Sequence, residues 1–257
     1  MPLRIAFDLD GVLADMESEL ARHAQTLFGE PMMRRLQELD ATSGASATGV
    51  PASALEDTAS DEAQTPEPAP DSTPPLPKLR LTARQERRLW RHVESVEGFW
   101  ESLNEIEPGA VARLATLATD RRWEIIFLTK RPDSAGATAQ VQTQRWLQSK
   151  GFALPSVYVV QGSRGLVAAA LALDFVVDDR PENCLDVVVD SKVRAILVWR
   201  EDEQLLPAAT RRLGIGAVKT VGECLDILAQ TDFAPHEKPR VVDRVMKLLG
   251  LKSEAAL

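Results

Sequence analysis

Short apolar runs alternate with amphipathic stretches along most of this chain, and that alternation limits the folds open to it. Ile5–Leu9, Trp123–Thr129, Val157–Val160, Phe175–Val177, Val193–Val198 and Ala217–Lys219 read as buried strands, rich in apolar and β-branched residues. Helical spacing fills the intervals. From Asp15 to Phe28, Met16, Leu20, Ala24 and Leu27 fall on one face. Further helices are expected after Pro108, over Ser134–Lys150 with Gly151 as its stop, and over Leu166–Leu173. Others are expected after Pro181, near Leu205–Leu213 and over Gly222–Ala229. Strand–helix alternation of this kind predicts an α/β fold: a doubly wound, Rossmann-like parallel sheet with helices on both faces.

One stretch breaks the pattern. Residues 41–77 hold seven of the chain's sixteen prolines and six acids, with no Lys or Arg. Such a composition buries too little apolar surface to offset its ordering entropy, so residues 41–79 are expected to be a disordered linker. As a surface insertion it is tolerable, because closure entropy grows slowly with loop length. A short helix is expected before it, from Pro31 to Leu39. After it, Thr82 and Gln85 form a capping box. The helix they open carries Arg84, Arg87, Arg88 and Arg91 outward, either as a solvated face or as a guide for an anionic substrate. Leu89, Trp90 and Val93 remain for packing. Residues 233–257 are read as a tail, with an amphipathic helix over Pro239–Leu251.

The net charge of -8 argues against wrapping long nucleic acid, which needs a basic face. Small anionic substrates remain compatible, since a metal ion and local cations can hold them. Cys184 and Cys224 belong to no C-x-x-C pair and read as reduced, buried thiols. The apolar strand at the start predicts no secretory signal, and no run is long enough to span a membrane, so a cytoplasmic location is expected. Nothing in the sequence specifies an oligomeric state.

In an open parallel sheet, ligands bind beyond the carboxyl ends of the strands. Three strands here end in polar residues: Asp8-Leu9-Asp10-Gly11, Thr129-Lys130-Arg131 and Asp178-Asp179-Arg180. If those strands are neighbours, four carboxylates, a hydroxyl and several cations meet on one edge. Clustered carboxylates repel one another, and a hard divalent cation such as Mg2+ relieves that. Mg2+ at carboxylates serves phosphoryl transfer, and a carboxylate can itself attack phosphorus.

Asp8-Leu9-Asp10-Gly11-Val12 resembles the first signature of haloacid-dehalogenase-class phosphatases, Thr129 the second, and Asp178-Asp179 the fourth. Asp10–Asp15, Gly98-Phe99-Trp100, Pro108-Gly109-Ala110 and Asp178–Asn183 are similar to the 5'(3')-deoxyribonucleotidase group within that class. The resemblance implies an α/β core over residues 1–15 and 100–232, with a small helical cap over 16–40 and 80–99. It implies Asp8 as nucleophile and Asp10 as acid and then base. Mg2+ would be held by Asp8, the Asp10 carbonyl and Asp178, with Asp179 supporting its shell. Thr129 would bind the phosphoryl oxygens of a small phosphorylated substrate, with a nucleoside monophosphate among the candidates.

The third signature, normally a Lys, is missing: no Lys lies between Lys150 and Lys192. Arg164, in Gln161-Gly162-Ser163-Arg164-Gly165, takes its place or is surface charge. Lys130 and Arg131 are expected to line the substrate site or cap carbonyls, and Thr129 alone could be a helix N-cap. Phe99 and Trp100 either stack on a substrate base or pack the hinge of the cap. His23, His92 and His236 have no partner visible in the sequence. Two competing activities are a dehalogenase, disfavoured by Asp10 and the metal-binding acids, and a catalytically weak binding or scaffold protein.

Overall fold

The structure is a computed structural model that describes residues 2–29, 79 and 81–230. Its strands are β1 (Arg4–Asp8), β2 (Glu124–Thr129), β3 (Ser156–Val159), β4 (Phe175–Asp178), β5 (Arg194–Val198) and β6 (Gly216–Val218). They form a six-stranded sheet in the order β3-β2-β1-β4-β5-β6, and every pair is parallel. The helices among the described residues are α1 (Met16–Phe28), α2 (Ala83–Ser95), α3 (Ala110–Arg121), α4 (Ala139–Ser149), α5 (Arg164–Ala170), α6 (Pro181–Asp190), α7 (Ala208–Arg212) and α8 (Val221–Gln230).

The twofold alternation of a strand divides the core into two layers. Ile5, Phe7, Phe127, Phe175, Val177 and Ile196 point to one face, where they meet Val111 and Leu114 of α3, Trp146 and Leu147 of α4, and Leu225 and Leu228 of α8. Ala6, Ile126, Leu128, Val176 and Leu197 point to the other, against Ala168 of α5 and Cys184 and Val187 of α6. Both faces are covered, as the uninterrupted apolar strands require. Cys184 and Cys224 are buried free thiols, and burial pushes both upward in pKa.

The strand order reverses at β1. The chain moves outward through β2 and β3, then returns past β1 to β4, β5 and β6. Such a switch point opens a crevice at the carboxyl edge. Phe7 stands opposite both Phe127 and Val177, so the ends of β1, β2 and β4 lie side by side.

Helix starts follow their caps. The Asp15 side chain accepts from Ser18 N at 3.0 Å, and Thr82 with Gln85 forms the expected box. Three helices differ from expectation by more than one residue at an end. The helix expected from Ser134 begins at Ala139, because Gly136 has φ +92° and Thr138 supplies the cap. The helix expected from Leu166 begins at Arg164, with Ser163 Oγ accepting from Leu166 N at 3.1 Å. The segment near 205–213 divides at Pro207 into a 3-10 turn, Glu203–Leu205, and α7.

α1 and α2 lie against each other, with Leu20, Ala24, Leu89, Trp90 and Val93 in the same apolar cluster as the sheet face. His23 Nδ1 and His92 Nε2 are 2.9 Å apart, a pairing across 69 residues that local sequence does not reveal. Arg84, Arg87, Arg88 and Arg91 are exposed, and Arg88 lies over the Phe28 ring. The helix expected over residues 31–39, the linker over 41–79 apart from Leu79, and the tail with its helix and His236 fall outside the described residues.

α5 and α6 pack closely enough to exclude a side chain at Gly165. A Cβ there would stand 2.4 Å from the Asp186 carbonyl oxygen and 2.7 Å from Asp190 Cβ. Gly165→Ala is therefore expected to destabilise the protein by about 1–3 kcal/mol through overpacking. Urea unfolding checks this, with a lowered midpoint at unchanged slope as the expected result.

Candidate active site

The three polar strand ends meet at the switch point. Asp8 closes β1, Thr129 closes β2, Asp178 closes β4, and all three are buried. Carboxylate oxygens of Asp8, Asp178 and Asp179 lie within 4.8 Å of one another. Thr129 does not cap a helix: its Oγ1 donates to Asp10 Oδ2 at 3.2 Å and accepts from Arg131 N at 3.3 Å.

Arg164 is part of this site and not surface charge. It is buried at the first turn of α5, where Nη2 donates to Asp8 Oδ1 and Nε stands 3.4 Å from Asp178 Oδ2. Its neighbours explain its placement. Ser163 caps the helix and also donates to Asp186, while Gly165 lets α5 approach α6. Burial acts to discharge the guanidinium, but Asp8, Asp178 and Asp179 together outweigh it and keep Arg164 charged.

On the β4 side, Asp178 Oδ1 accepts from Arg180 N at 2.9 Å and from Asn183 Nδ2 at 3.0 Å. These bonds fix the carboxylate at the start of α6. Asp179 is held against Gly11, where a Cβ would fall 2.0 Å from Asp179 Oδ2. With φ +89°, Gly11 is thus required both for the turn after β1 and for the nearness of Asp179. Asp179 Oδ1 is buried and accepts no hydrogen bond.

On the β2 side, Asp10 is gripped by Arg131. Nε reaches Oδ1 at 3.1 Å and Oδ2 at 2.9 Å, and Nη2 reaches Oδ1 at 2.7 Å. This corrects the expectation for Arg131: the side chain is 0% exposed, and its fork faces a carboxylate of the protein instead of open substrate space. Phe99 and Trp100 need a similar correction. Both are 0% exposed, ring edge to ring face at 4.8 Å, and present no surface for a base to stack on in this arrangement. They pack, as the alternative reading had it, and Trp100 lies 4.9 Å from the Arg131 guanidinium. Lys130, between Thr129 and Arg131, is only half-buried.

Several contributors carried no assigned role in the sequence. Arg200 follows β5 and donates to the carbonyls of Gly11 and Val12, and its Nη2 also pairs with Glu107 at 3.1 Å. Glu107 accepts from Val221 N and Gly222 N at the start of α8. Together they tie the loop after β1 to two distant elements. Arg200 had the same signal as the other site residues, a polar side chain just beyond a strand end. Asn183 lay within a quoted motif without a role.

The electrostatics favour a cation. Four carboxylates, Asp8, Asp10, Asp178 and Asp179, face two buried guanidiniums, Arg131 and Arg164, with Arg180 acting on Asp179, so the acids outnumber the cations. Burial pushes the Asp8 carboxyl well above the usual range; Arg164 opposes this, and Asp178, Asp179 and Asp10 add to it. Asp179 is pushed up to about 7, first by burial and then by Asp178. The unpartnered Asp179 oxygen and the clustered oxygen donors fit a hard divalent ion such as Mg2+.

No family model and no curated protein matches this sequence. Solved structures do resemble its chain trace. One is a hydrolase from Pseudomonas syringae, 16% identical, covering 90% of this chain and 100% of that one, with a TM-score of 0.49. A second is a HAD family hydrolase from Deinococcus radiodurans R1 with bound phosphate and sodium, at 17% identity, 89% and 96% coverage and a TM-score of 0.44. A third is a phosphonoacetaldehyde hydrolase like protein from Oleispira antarctica, at 11% identity, 97% and 94% coverage and a TM-score of 0.44. At these values the α/β assignment rests on the sheet itself, and any function must rest on the site.

Mg2+ is expected to raise the melting temperature, by an amount equivalent to about 2.7 kcal/mol at a hundredfold excess over Kd. Asp179→Asn should shrink that shift. A thermal melt of wild type that does not respond to Mg2+ would remove the metal site.

Proposed function

We propose that this protein is a Mg2+-dependent phosphomonoester hydrolase of the haloacid-dehalogenase class, acting on a small phosphorylated metabolite. The observation that carries the reading is the set of acids at the switch point. Asp8 ends the central strand, Asp10 follows two residues later, and Asp178 with Asp179 faces Asp8 from the neighbouring strand. A scaffold protein has no use for four clustered carboxylates, and an Asp-based dehalogenase needs neither Asp10 nor the metal-binding pair.

In this reading Asp8 is the nucleophile. Arg164 holds Oδ1, which fixes the carboxylate and leaves Oδ2 to attack phosphorus. The phosphorus–oxygen bond to the leaving group breaks as the bond to Asp8 forms, and Asp10 gives a proton to the departing oxygen. Water then attacks the phosphorus of the aspartyl-phosphate and Asp10 takes its proton. The bond to Asp8 breaks and inorganic phosphate leaves. The Arg164 guanidinium supplies donors for the phosphoryl oxygens, which carry most charge in the transition state, while the one Thr129 hydroxyl proton stays on Asp10 Oδ2. Mg2+ held by Asp8, Asp178 and the Asp10 carbonyl, with Asp179 beside it, would neutralise part of that charge. α1, which follows the loop after β1, and α2, which packs against α1, are the described part of the cap that would select substrate. Nucleoside monophosphates belong in the substrate panel.

Two substitutions test the reading, with a generic aryl phosphate and a panel of phosphorylated metabolites assayed with and without Mg2+. Asp8→Asn is expected to abolish turnover in a chain that still folds, because an amide is no nucleophile; retained Mg2+-dependent turnover would overturn the assignment. Arg164→Ala should lower kcat/KM by roughly 10²-fold, the loss typical of one preorganised donor. Arg164→Lys should retain more activity, since an ammonium keeps the charge but not the fork.

A further inference from the structure

Arg131 costs the fold a great deal, because a guanidinium at 0% exposure has lost its hydration. Its surroundings replace that hydration almost completely. Nε and Nη2 bind both oxygens of Asp10, and Nη1 donates to Thr143 Oγ1 on α4 at 2.8 Å. Its central carbon lies 4.9 Å from the centre of the Trp100 ring and 6.0 Å from that of Trp146. Those rings are themselves fixed: Trp100 Nε1 donates to the Pro132 carbonyl at 3.0 Å and Trp146 Nε1 to the Leu103 carbonyl at 2.7 Å. Asp10, by contrast, sits in the loop after β1, where two side-chain torsions would otherwise be free.

We propose that Arg131 is the positioning residue of this site, holding the Asp10 carboxylate in the place from which it takes a proton from the attacking water. The assignment rests on the phosphatase reading above. Arg131 touches neither the transferred phosphoryl group nor the leaving group; it acts through Asp10. Thr129 completes the arrangement, because its hydroxyl bonds Asp10 Oδ2 and its Oγ1 also receives the Arg131 backbone N–H. Two residues of one strand end thus aim one carboxylate. A Lys cannot reproduce the grip, since it offers a point charge where three guanidinium hydrogen bonds now converge.

The step that suffers is the second. With an aryl phosphate, the leaving group departs without a proton, so phosphorylation of Asp8 needs little from Asp10. Hydrolysis of the aspartyl-phosphate does need it: the water–phosphorus bond forms, the phosphorus–Asp8 bond breaks, and the water proton goes to Asp10. Loosening Asp10 therefore makes the second step limiting.

The experiment is steady-state kinetics with an aryl phosphate and Mg2+, together with acid-quench measurement of the phosphoenzyme, for Arg131→Met and Arg131→Lys. The expected result is a fall in kcat of roughly 10²-fold in Arg131→Met, the scale of one general-base contribution. KM should fall with it, kcat/KM should be largely kept, and phosphoenzyme should accumulate toward one per chain. Arg131→Lys should lie between this variant and wild type. Thr143→Val, which removes only the acceptor of Nη1, should show the same signature at a few-fold and covers the case in which Arg131→Met fails to fold. Equal loss of kcat and kcat/KM without phosphoenzyme, or wild-type kinetics in the variants, would overturn the role of Arg131. Failure of the phosphatase reading looks different: wild type itself would yield neither phosphoenzyme nor phosphate, and the assignment would fall with it.

Discussion

A carboxylate buried at the end of the central strand is the constraint around which the rest of this structure is arranged. An isolated charge there would be very costly, and Asp8 is tolerable because Arg164 reaches it from α5. The pair in turn dictates its surroundings. α5 must begin at Arg164, so Ser163 caps it, and α5 must lie tight against α6, so residue 165 has no side chain. Asp178 sits at the start of that same α6, held by Asn183 and Arg180, and joins the pair at 3.4 Å.

The site is built as two ion networks separated by β1. On the β4 side, Asp8, Arg164, Asp178 and Asp179 leave an unpartnered oxygen and an excess of negative charge, which is the chemistry of a cation site. On the β2 side, Asp10, Arg131, Thr129 and Thr143 form a set in which every contact is made within the protein. The β4 side keeps an oxygen for a ligand, while the β2 side is stiffly held and leaves the Asp10 side chain 13% exposed. That division suits a reaction in which one acid must bind and attack and the other must only move protons.

The loop that follows Asp8 and Asp10 depends on elements far away in sequence. Gly11 turns the chain and lets Asp179 approach; Arg200 holds the carbonyls of Gly11 and Val12; Glu107 joins Arg200 to the start of α8. The loop also pairs with residues 104–106, through Asp15 N to the Asn104 carbonyl and Ile106 N to the Leu13 carbonyl. Leu9, Val12, Leu13 and Ala14 bury the loop in the core, and these hydrogen bonds fix its backbone.

The parallel sheet, most helix positions and the acids at three strand ends were legible in the sequence because they follow from local periodicity and from where apolar runs stop. Asp8, Asp10, Thr129 and Asp178 are short-range facts of that kind. The pairings were not. Arg131 and Asp10 are 121 residues apart and Arg164 and Asp8 are 156 apart, and no local pattern says which guanidinium meets which carboxylate. Phe99 and Trp100 looked equally suited to packing or to a ligand, and their burial was settled by helices contributed from elsewhere in the chain. The sequence by itself determined which chemistry the strand ends could carry. The tertiary structure decided the partners, because the order β3-β2-β1-β4-β5-β6 alone sets β1 between β2 and β4 and brings each acid within reach of its own buried arginine.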